Sequence, residues 1–510
     1  MDDAPTSASA RPAGPRSVQG YELDARARAL TLAGVLLGML LAALDQTVVA
    51  TAGPAMQAAL HIPVAIYPWI TTAYLVASTV LVPIYGKLSD RYGRKPVLLF
   101  GIVVFLLGSF ICGVAPNTAV LIFARAVQGV GSASLFTSAF AIVADLFPPA
   151  VRGRYTGLFG AVFGISSVVG PLLGGFITDH FGWHWVFFIN LPLGALAFAF
   201  IVLKMPRLGQ DGRPRRPLDV AGGLALVCGL VPLLLALSLG ESGARGGGHG
   251  WTSPPILALF ALAAVGVTAF LTIERRAADP ILDLALFRNP TFAWGNVGAF
   301  VIGSSFLVGI VFLPLFMVNV VGLSASSAGL TLTPLTLGLV AGNVLSGQIV
   351  SRIGRYKPLM LGAIALLGAA FATLAFTLDI HATQASVTVK MVALGLGLGP
   401  SIPLYMLAIQ NSVSPDRIGV ATSTATFFRS MGGSVGLAVF GTVFAASLSA
   451  HLAHELGAGV AHALAMKEAL TAAIRLVFGL GIVIAALGFL VTLPLPQLPL
   501  RRSNAPAAAE

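Results

Sequence analysis

Charge is what this chain has least of. Of 510 residues only 10% are Asp, Glu, Lys or Arg, against 56% hydrophobic, and the mean hydropathy is +0.90. A soluble domain carries roughly 25% charged residues. A water-facing globule is therefore excluded, and the bilayer is the main solvent. Cysteine is nearly absent. Cys112 and Cys228 stand far apart in apolar runs, which excludes a disulfide framework and a cysteine metal site. Neither GxxxxGKS nor GxxxxGKT occurs, so there is no phosphate-cradling loop for ATP. Driving energy must come from an ion gradient or from the solute's own gradient. The stretch HLAHELGAGVAH holds His451, His454, Glu455 and His462 but lacks the HExxH spacing, and it reads as a solvated outer loop. No cofactor, metal or enzyme chemistry is expected.

What is present is long apolar runs of about 20 residues or more, the length of spanning helices rather than barrel strands. Fourteen are expected. Six lie near 28–52, 66–85, 97–115, 119–143, 154–178 and 184–203, and two near 218–239 and 255–273. The last six lie near 291–320, 328–350, 358–378, 386–409, 418–447 and 470–493. The fold class is an all-α polytopic membrane protein.

The net charge of +11 is a matter of topology rather than nucleic-acid binding. With both termini in the cytoplasm, the inner loops collect Lys87, Arg91, Arg94, Lys95, Arg152, Arg207, Arg213, Arg215, Arg216, Arg275 and Arg276 among others. The outer loops hold little beyond Arg245 and Lys467. That bias follows the positive-inside rule, and dropping one helix would invert half of it. The first twenty residues are rich in Pro, Ala and Ser without a short apolar core, so they read as a tail and not a signal peptide.

The chain repeats itself. GKLSDRYGRKP (86–96) follows the second segment, and GQIVSRIGRYKP (347–358) follows the tenth. Two related halves around a central site are a transporter's plan. The expected organisation is a disordered tail over 1–27, a six-helix half over 28–204, a two-helix insert over 205–290, a second six-helix half over 291–494 and a tail over 495–510.

Asp45 sits in LAALDQTVVATAGP, after twelve uncharged residues. An acid at a helix centre costs about 2.5–3.5 kcal/mol on insertion scales and marks ion or proton paths. Desolvation favours a neutral carboxyl and a nearby cation a charged one, so an acid placed between the two can load and release a proton. The plainer alternative is a structural ion pair. Arg125 lies at a similar depth, roughly 9–10 Å from the outer end of its helix at 1.5 Å per residue, and is the expected counter-charge. Gln128 is three residues on, on the same face. Asp90 and Arg94 are four apart and expected to pair on one helical face. GISSVVGPLLGG places Gly164, Gly170, Gly174 and Gly175 with Pro171, a pattern for close helix approach and a bend. Arg429, before SMGGSVGLAVFG, is a second intramembrane cation with no partner evident in the sequence. Tyr74, Asn296, Tyr405, Gln410 and Arg429 join Gln128 as candidate cavity residues, alongside Trp69, Trp294 and Phe427. Trp183 and Trp185 are expected in the interfacial aromatic belt.

With these motifs in order, the chain resembles the major facilitator superfamily, specifically its fourteen-helix drug:proton antiporter branch of the QacA/EmrB type. The resemblance rests on LDQTVVATAGP, GKLSDRYGRKP, RAVQGVGSA (125–133), GISSVVGPLLGG, WHWVFFINLPLG (183–194) and LALFRNPTF (284–292). It departs at Ala50, Thr51 and Ala52-Gly53-Pro54, where members often carry Asn and Ala-Leu-Pro. The resemblance implies two six-helix halves plus two inserted helices, and a gating loop built from Gly86, Asp90, Arg91, Gly93 and Arg94. It also implies an antiporter motif in the fifth helix and a proton-coupling pair in Asp45 and Arg125. The partners implied are lipophilic or cationic small molecules, protons and membrane lipid, with room for an accessory envelope protein and none for nucleic acid. The location implied is the cell (plasma) membrane. The alternative is a proton-coupled exporter dedicated to one natural compound such as an antibiotic, siderophore or lipid.

Overall fold

The computed structural model describes residues 23–63, 66–67, 69–206, 219–244, 250–322, 332–414, 417–458 and 461–501. The tail up to residue 22, Arg207, Arg213, Arg215, Arg216, Arg245 and the end beyond residue 501 lie outside the described residues. Fourteen helices are long and apolar enough to cross a membrane. They are α1 (Ala25–Ala59), α2 (Trp69–Tyr92), α3 (Arg94–Gly113), α4 (Thr118–Leu146), α5 (Pro149–Phe181), α6 (Trp185–Lys204) and α7 (Val220–Ala244). Then come α8 (Pro254–Glu274), α9 (Pro290–Asn319), α10 (Thr333–Ile353), α11 (Lys357–Thr377), α12 (Gln384–Asn411), α13 (Ile418–Gly457) and α14 (His462–Thr492). No strand occurs among the described residues. In lipid that is the expected outcome, since a helix satisfies its own backbone.

Local chemistry sets the helix ends. Asp24 accepts from the Ala27 N–H at 2.7 Å and starts α1, and Asn117 accepts from Val120 at 3.0 Å and starts α4. Asn289 caps α9, with Pro290 at its first position, where a missing N–H costs nothing. Between α2 and α3 the chain turns at Gly93, φ 90°, and α10 ends at Gly354, φ 73°. Both are left-handed positions that favour glycine, and both sit at the same point of the repeated loop sequence. α13 is longer than its apolar run suggested. His451, His454 and Glu455 are therefore helical rather than in a loop, and His451 Nδ1 sits 2.8 Å from the Ser447 carbonyl of its own helix.

Helix pairings repeat with an offset of eight. α1 packs on α5 and α6 as α9 packs on α13 and α14, and α2 on α4 as α10 on α12. α3 meets α4 and α6 as α11 meets α12 and α14. Across the molecule α5 packs on α10, and α2 on α13, the same contact made twice. α7 and α8 pack on each other, and α7 leans on α2 and α13. Large apolar side chains point outward, with Leu203 74% and Phe376 72% exposed. That is a lipid-facing surface. The buried set includes Asp45, Arg125, Gln128, Asn190 and Arg152.

Candidate functional site

The first half is built around one carboxylate. α1 carries Asp45 inward, with no exposed surface. Arg125 Nη1 on α4 donates to its Oδ2 at 2.6 Å. On Oδ1 it accepts from Gln128 Nε2 at 3.0 Å and from Asn190 Nδ2, on α6, at 2.8 Å. Three helices thus converge on one acid. The donors are held in turn. Gln128 and Asn190 both reach Ser109 Oγ at 2.8 Å, and Arg125 Nη1 also donates to Gln128 Oε1 at 2.7 Å. Arg125 Nε donates to the Ile70 carbonyl at 3.1 Å, and its guanidinium lies 4.5 Å from the centre of the Tyr74 ring. The Tyr74 hydroxyl donates to Ser132 at 2.6 Å and accepts from Gln46 at 3.4 Å. Gly108 lets α3 approach, because a Cβ there would come within 2.7 Å of Gln128 Cγ. A buried ion pair survives only with such additional hydrogen bonds. Tyr74 and Gln128, expected in a cavity, belong to this closed site instead. Asn190 and Ser109 were not singled out in the sequence. The signal for Asn190 was a lone amide in the apolar run FFINLPLG.

The repeated loop joins the halves. Gly93 breaks the helix between Asp90 and Arg94, so their 2.6 Å pair forms across a turn and not along one continuous helical face. Arg94 also reaches Asp145 on α4 at 2.7 Å and Ser89 at 3.1 Å. The second Asp90 oxygen accepts from the Val420 N–H at 3.0 Å, in the first turn of α13. That N–H is one of the donors a helix start leaves free, at its positive end. Gly86 faces Ser423 so closely that any Cβ would overlap it, and Gly347 meets the backbone of Gly153 in the symmetric place. Lys87 pairs with Asp279, and Arg417 with Asp283 at 2.5 Å. Lys95 donates to the last carbonyls of α6, and Arg91 lies over the Tyr92 ring at 5.4 Å.

Arg152, counted as a loop charge, is buried instead. It donates to the carbonyls of Phe147 and Ala144 and, at 2.9 Å, to Gln410 Oε1 on α12. Gln410 therefore bridges the halves rather than facing a cavity, and it passes the link on to Thr422 at 2.8 Å. The final segment crosses the same seam. The Arg501 guanidinium donates to the carbonyls of Gln410, Asn411 and Val413, while its own carbonyl accepts from Ala150 N. Burial pulls the Arg501 guanidinium below its ordinary range.

In the fifth-helix motif, Cβ atoms at Gly170 and Gly174 would overlap Thr47 and Thr51 of α1, and one at Gly164 would come within 2.5 Å of Val340 on α10. Gly175 faces open space, and Pro171 is accommodated without ending α5. The motif therefore presses α5 onto the helix that carries Asp45. Of the other candidates, Asn296 donates to the Phe292 carbonyl at 2.8 Å, while its oxygen is buried without a partner. The Tyr405 hydroxyl meets Thr492 at 2.5 Å, and Tyr405 and Arg429 line one cavity between α9, α12 and α13. Trp185 is 54% exposed, but Trp183 is buried against His184 and Phe187 and is a packing residue. Cys112 is a buried free thiol and Cys228 an exposed one.

Comparison with known proteins agrees with this architecture. The family model described as Major Facilitator Superfamily matches residues 35–437. The chain is 41% identical over 410 residues to Multidrug resistance protein 3 of Bacillus subtilis, covering 80% of this chain and 78% of the relative. It is 39% identical over 416 residues to the Multidrug transporter protein MdtP of the same organism, covering 82% and 75%. The crystal structure of the human organic anion transporter MFSD10 (TETRAN) superposes with a TM-score of 0.61 over 90% of this chain and 99% of that one. At 16% identity that likeness speaks for the fold alone.

Proposed function

Because the chain belongs to the major facilitator superfamily and is a multi-pass membrane efflux transporter rather than an enzyme, we propose that it exports lipophilic or cationic drugs in exchange for protons, by alternating access, with Asp45 as the proton carrier. The observation that carries this reading is the convergence of Arg125, Gln128 and Asn190 on one fully buried carboxylate. A proton arriving on Asp45 removes the charge those three donors serve and leaves Arg125 without its counter-ion. Breaking one side of a buried pair costs about 3–5 kcal/mol. A proton crossing 100 mV releases about 2.3 kcal/mol, and one pH unit about 1.4 kcal/mol more. The gradient thus matches the size of the switch. Rearrangement of Arg125 then pulls on α1, α4 and α6 together.

The gate in this proposal is the seam of Asp90, Arg94 and Val420, backed by Gly86, Arg152 and Gln410. With both termini cytoplasmic and the protein in the plasma membrane, that seam lies on the inner side and the described state is closed inward. The halves, 28–204 and 291–494, rock about a midplane site, as repeats in secondary carriers do, and the segment 205–290 braces them through Lys87–Asp279 and Arg417–Asp283.

The test is ethidium efflux from energised cells, wild type against Asp45→Asn, with and without a protonophore. The reading expects wild-type efflux that collapses with the protonophore and is lost in the variant at equal protein level. A variant that still pumps uphill makes Asp45 a structural acid. A wild type that ignores ethidium while remaining gradient-driven on another compound points to a dedicated exporter.

A further inference from the structure

The second half holds a half-buried cation whose inner nitrogen has no partner. Arg429 is eleven residues into α13, about 16 Å along the helix at 1.5 Å per residue, near the middle of a hydrocarbon core roughly 30 Å thick. No carboxylate pairs with it among the described residues, and its Nε is buried without a hydrogen-bond partner. Charged groups at that depth normally pair or face a functional cavity. Arg125, in the other half, is fully engaged.

Arg429 faces a cavity rather than packing. The cavity lies between α9, α12 and α13 and is walled by Ile302, Phe306, Leu398 and Met406. Its second unmatched polar group is Ser401, whose hydroxyl is buried without a partner. Two unmet donors thus share one apolar space, and no acidic residue lines it. The room is small, about 20 Å³ for the centre of a water-sized group, enough for a single small polar head. The seam holding Arg429 is close-packed, because a Cβ at Gly303 would overlap the Arg429 carbonyl.

We propose that Arg429 receives an acidic oxygen of the exported molecule, so that the cargo class includes lipophilic compounds bearing one carboxylate or phenolate. This rests on the efflux reading above and names an acidic subset of its lipophilic cargo. The planar guanidinium fork matches a carboxylate bidentately, and Ser401 adds a third donor. The apolar walls suit the few carbons that carry that head, the cavity being too small for more. A positive charge on the same molecule must be held away from Arg429.

The experiment uses the full chain in nanodiscs and a matched pair of dyes, rhodamine B and its ethyl ester, which differ only in a free carboxylate. Binding is read by fluorescence polarisation for wild type, Arg429→Gln, Arg429→Lys and Ser401→Ala. The expected result is tighter wild-type binding of rhodamine B than of the ester. Arg429→Gln should weaken rhodamine B at least tenfold and the ester less than twofold. Arg429→Lys should recover part of the loss, and Ser401→Ala should cost about threefold on rhodamine B alone. Equal losses on both dyes, or no preference in the wild type, overturn the proposal. So does a protein stabilised by exchanging gluconate for chloride through Arg429 yet blind to the carboxylate, which would make the site a halide site. Binding needs no gradient. A protein that binds rhodamine B through Arg429 but moves neither dye on a pH gradient therefore supports this inference and removes the coupling reading.

Discussion

The two halves repeat each other's helix contacts but not their buried charge. In the first half Arg125 is surrounded by acceptors, with Asp45, Gln128, the Ile70 carbonyl and the Tyr74 ring all in place. In the second half Arg429 has none of these. The repeated loop differs in the same way. Gly93 and Gly354 keep the same left-handed turn, but Asp90 in the first copy stands where the second has Ser351. Asp90 reaches across to Val420 N–H, whereas Ser351 bonds the Gly347 carbonyl of its own helix. The helix scaffold occurs twice, but its polar chemistry is divided, with a closed ion pair on one side and unpartnered donors beside a cavity on the other.

The largest expected effect comes from unbalancing the closed site. Asp45→Asn should lower gradient-driven efflux at least a hundredfold in a vesicle assay. Arg125→Met strands Asp45 without its cation and should cost about 3–5 kcal/mol of stability, read as a loss of monodisperse protein on extraction. Next is the one-sided loop. Asp90→Ala removes a charge-assisted bond worth about 1.5–3 kcal/mol, so the seam should open. Thiol labelling of Ser423→Cys should then accelerate about tenfold over the same cysteine with Asp90 intact. An unchanged rate would mean that Gly86 and Arg152 hold the seam alone. Gly170→Val pushes Thr47 and α1 away from α5 and should cut transport about tenfold with protein level held. If it does not, the close approach is packing only. The smallest effect is expected from Arg501→Ala. The bonds of its guanidinium reach only backbone carbonyls at the rim of the seam, and labelling of Ser423→Cys should rise no more than twofold.

Much of this was legible in the chain. Fourteen apolar runs and a one-sided distribution of Lys and Arg are bulk properties, and lipid leaves helices as the only outcome. Asp45 and Arg125 are visible because charge in oil is costly, and their similar depth along two helices marks them as partners. Asn190 was harder, since an amide in an apolar run has no unique partner until α6 is docked on α1. Arg152 is not legible as a buried residue, because a cation near a loop usually anchors to headgroups. Here the first turns of α5 are buried under α12, and Phe147, Ala144 and Gln410 take its donors. Trp183 differs from the belt residue the sequence suggests for a similar reason: its neighbour Trp185 meets the outside, but Trp183 turns inward. The bond from Asp90 to Val420 joins residues 330 positions apart, beyond the reach of any spacing rule.

The central claim of the proposal is that Asp45 carries the coupled proton, so that binding of cargo drives that proton off. The most direct test is proton release on binding. Ethidium is added to purified protein in weakly buffered detergent with a pH-sensitive dye, wild type against Asp45→Asn. With the protein first equilibrated at successively lower pH to load Asp45, the account predicts a burst of protons from the wild type that saturates with ethidium binding, and none at any starting pH from Asp45→Asn. An equal burst from both proteins would contradict it and send the search for the coupling acid elsewhere in the chain.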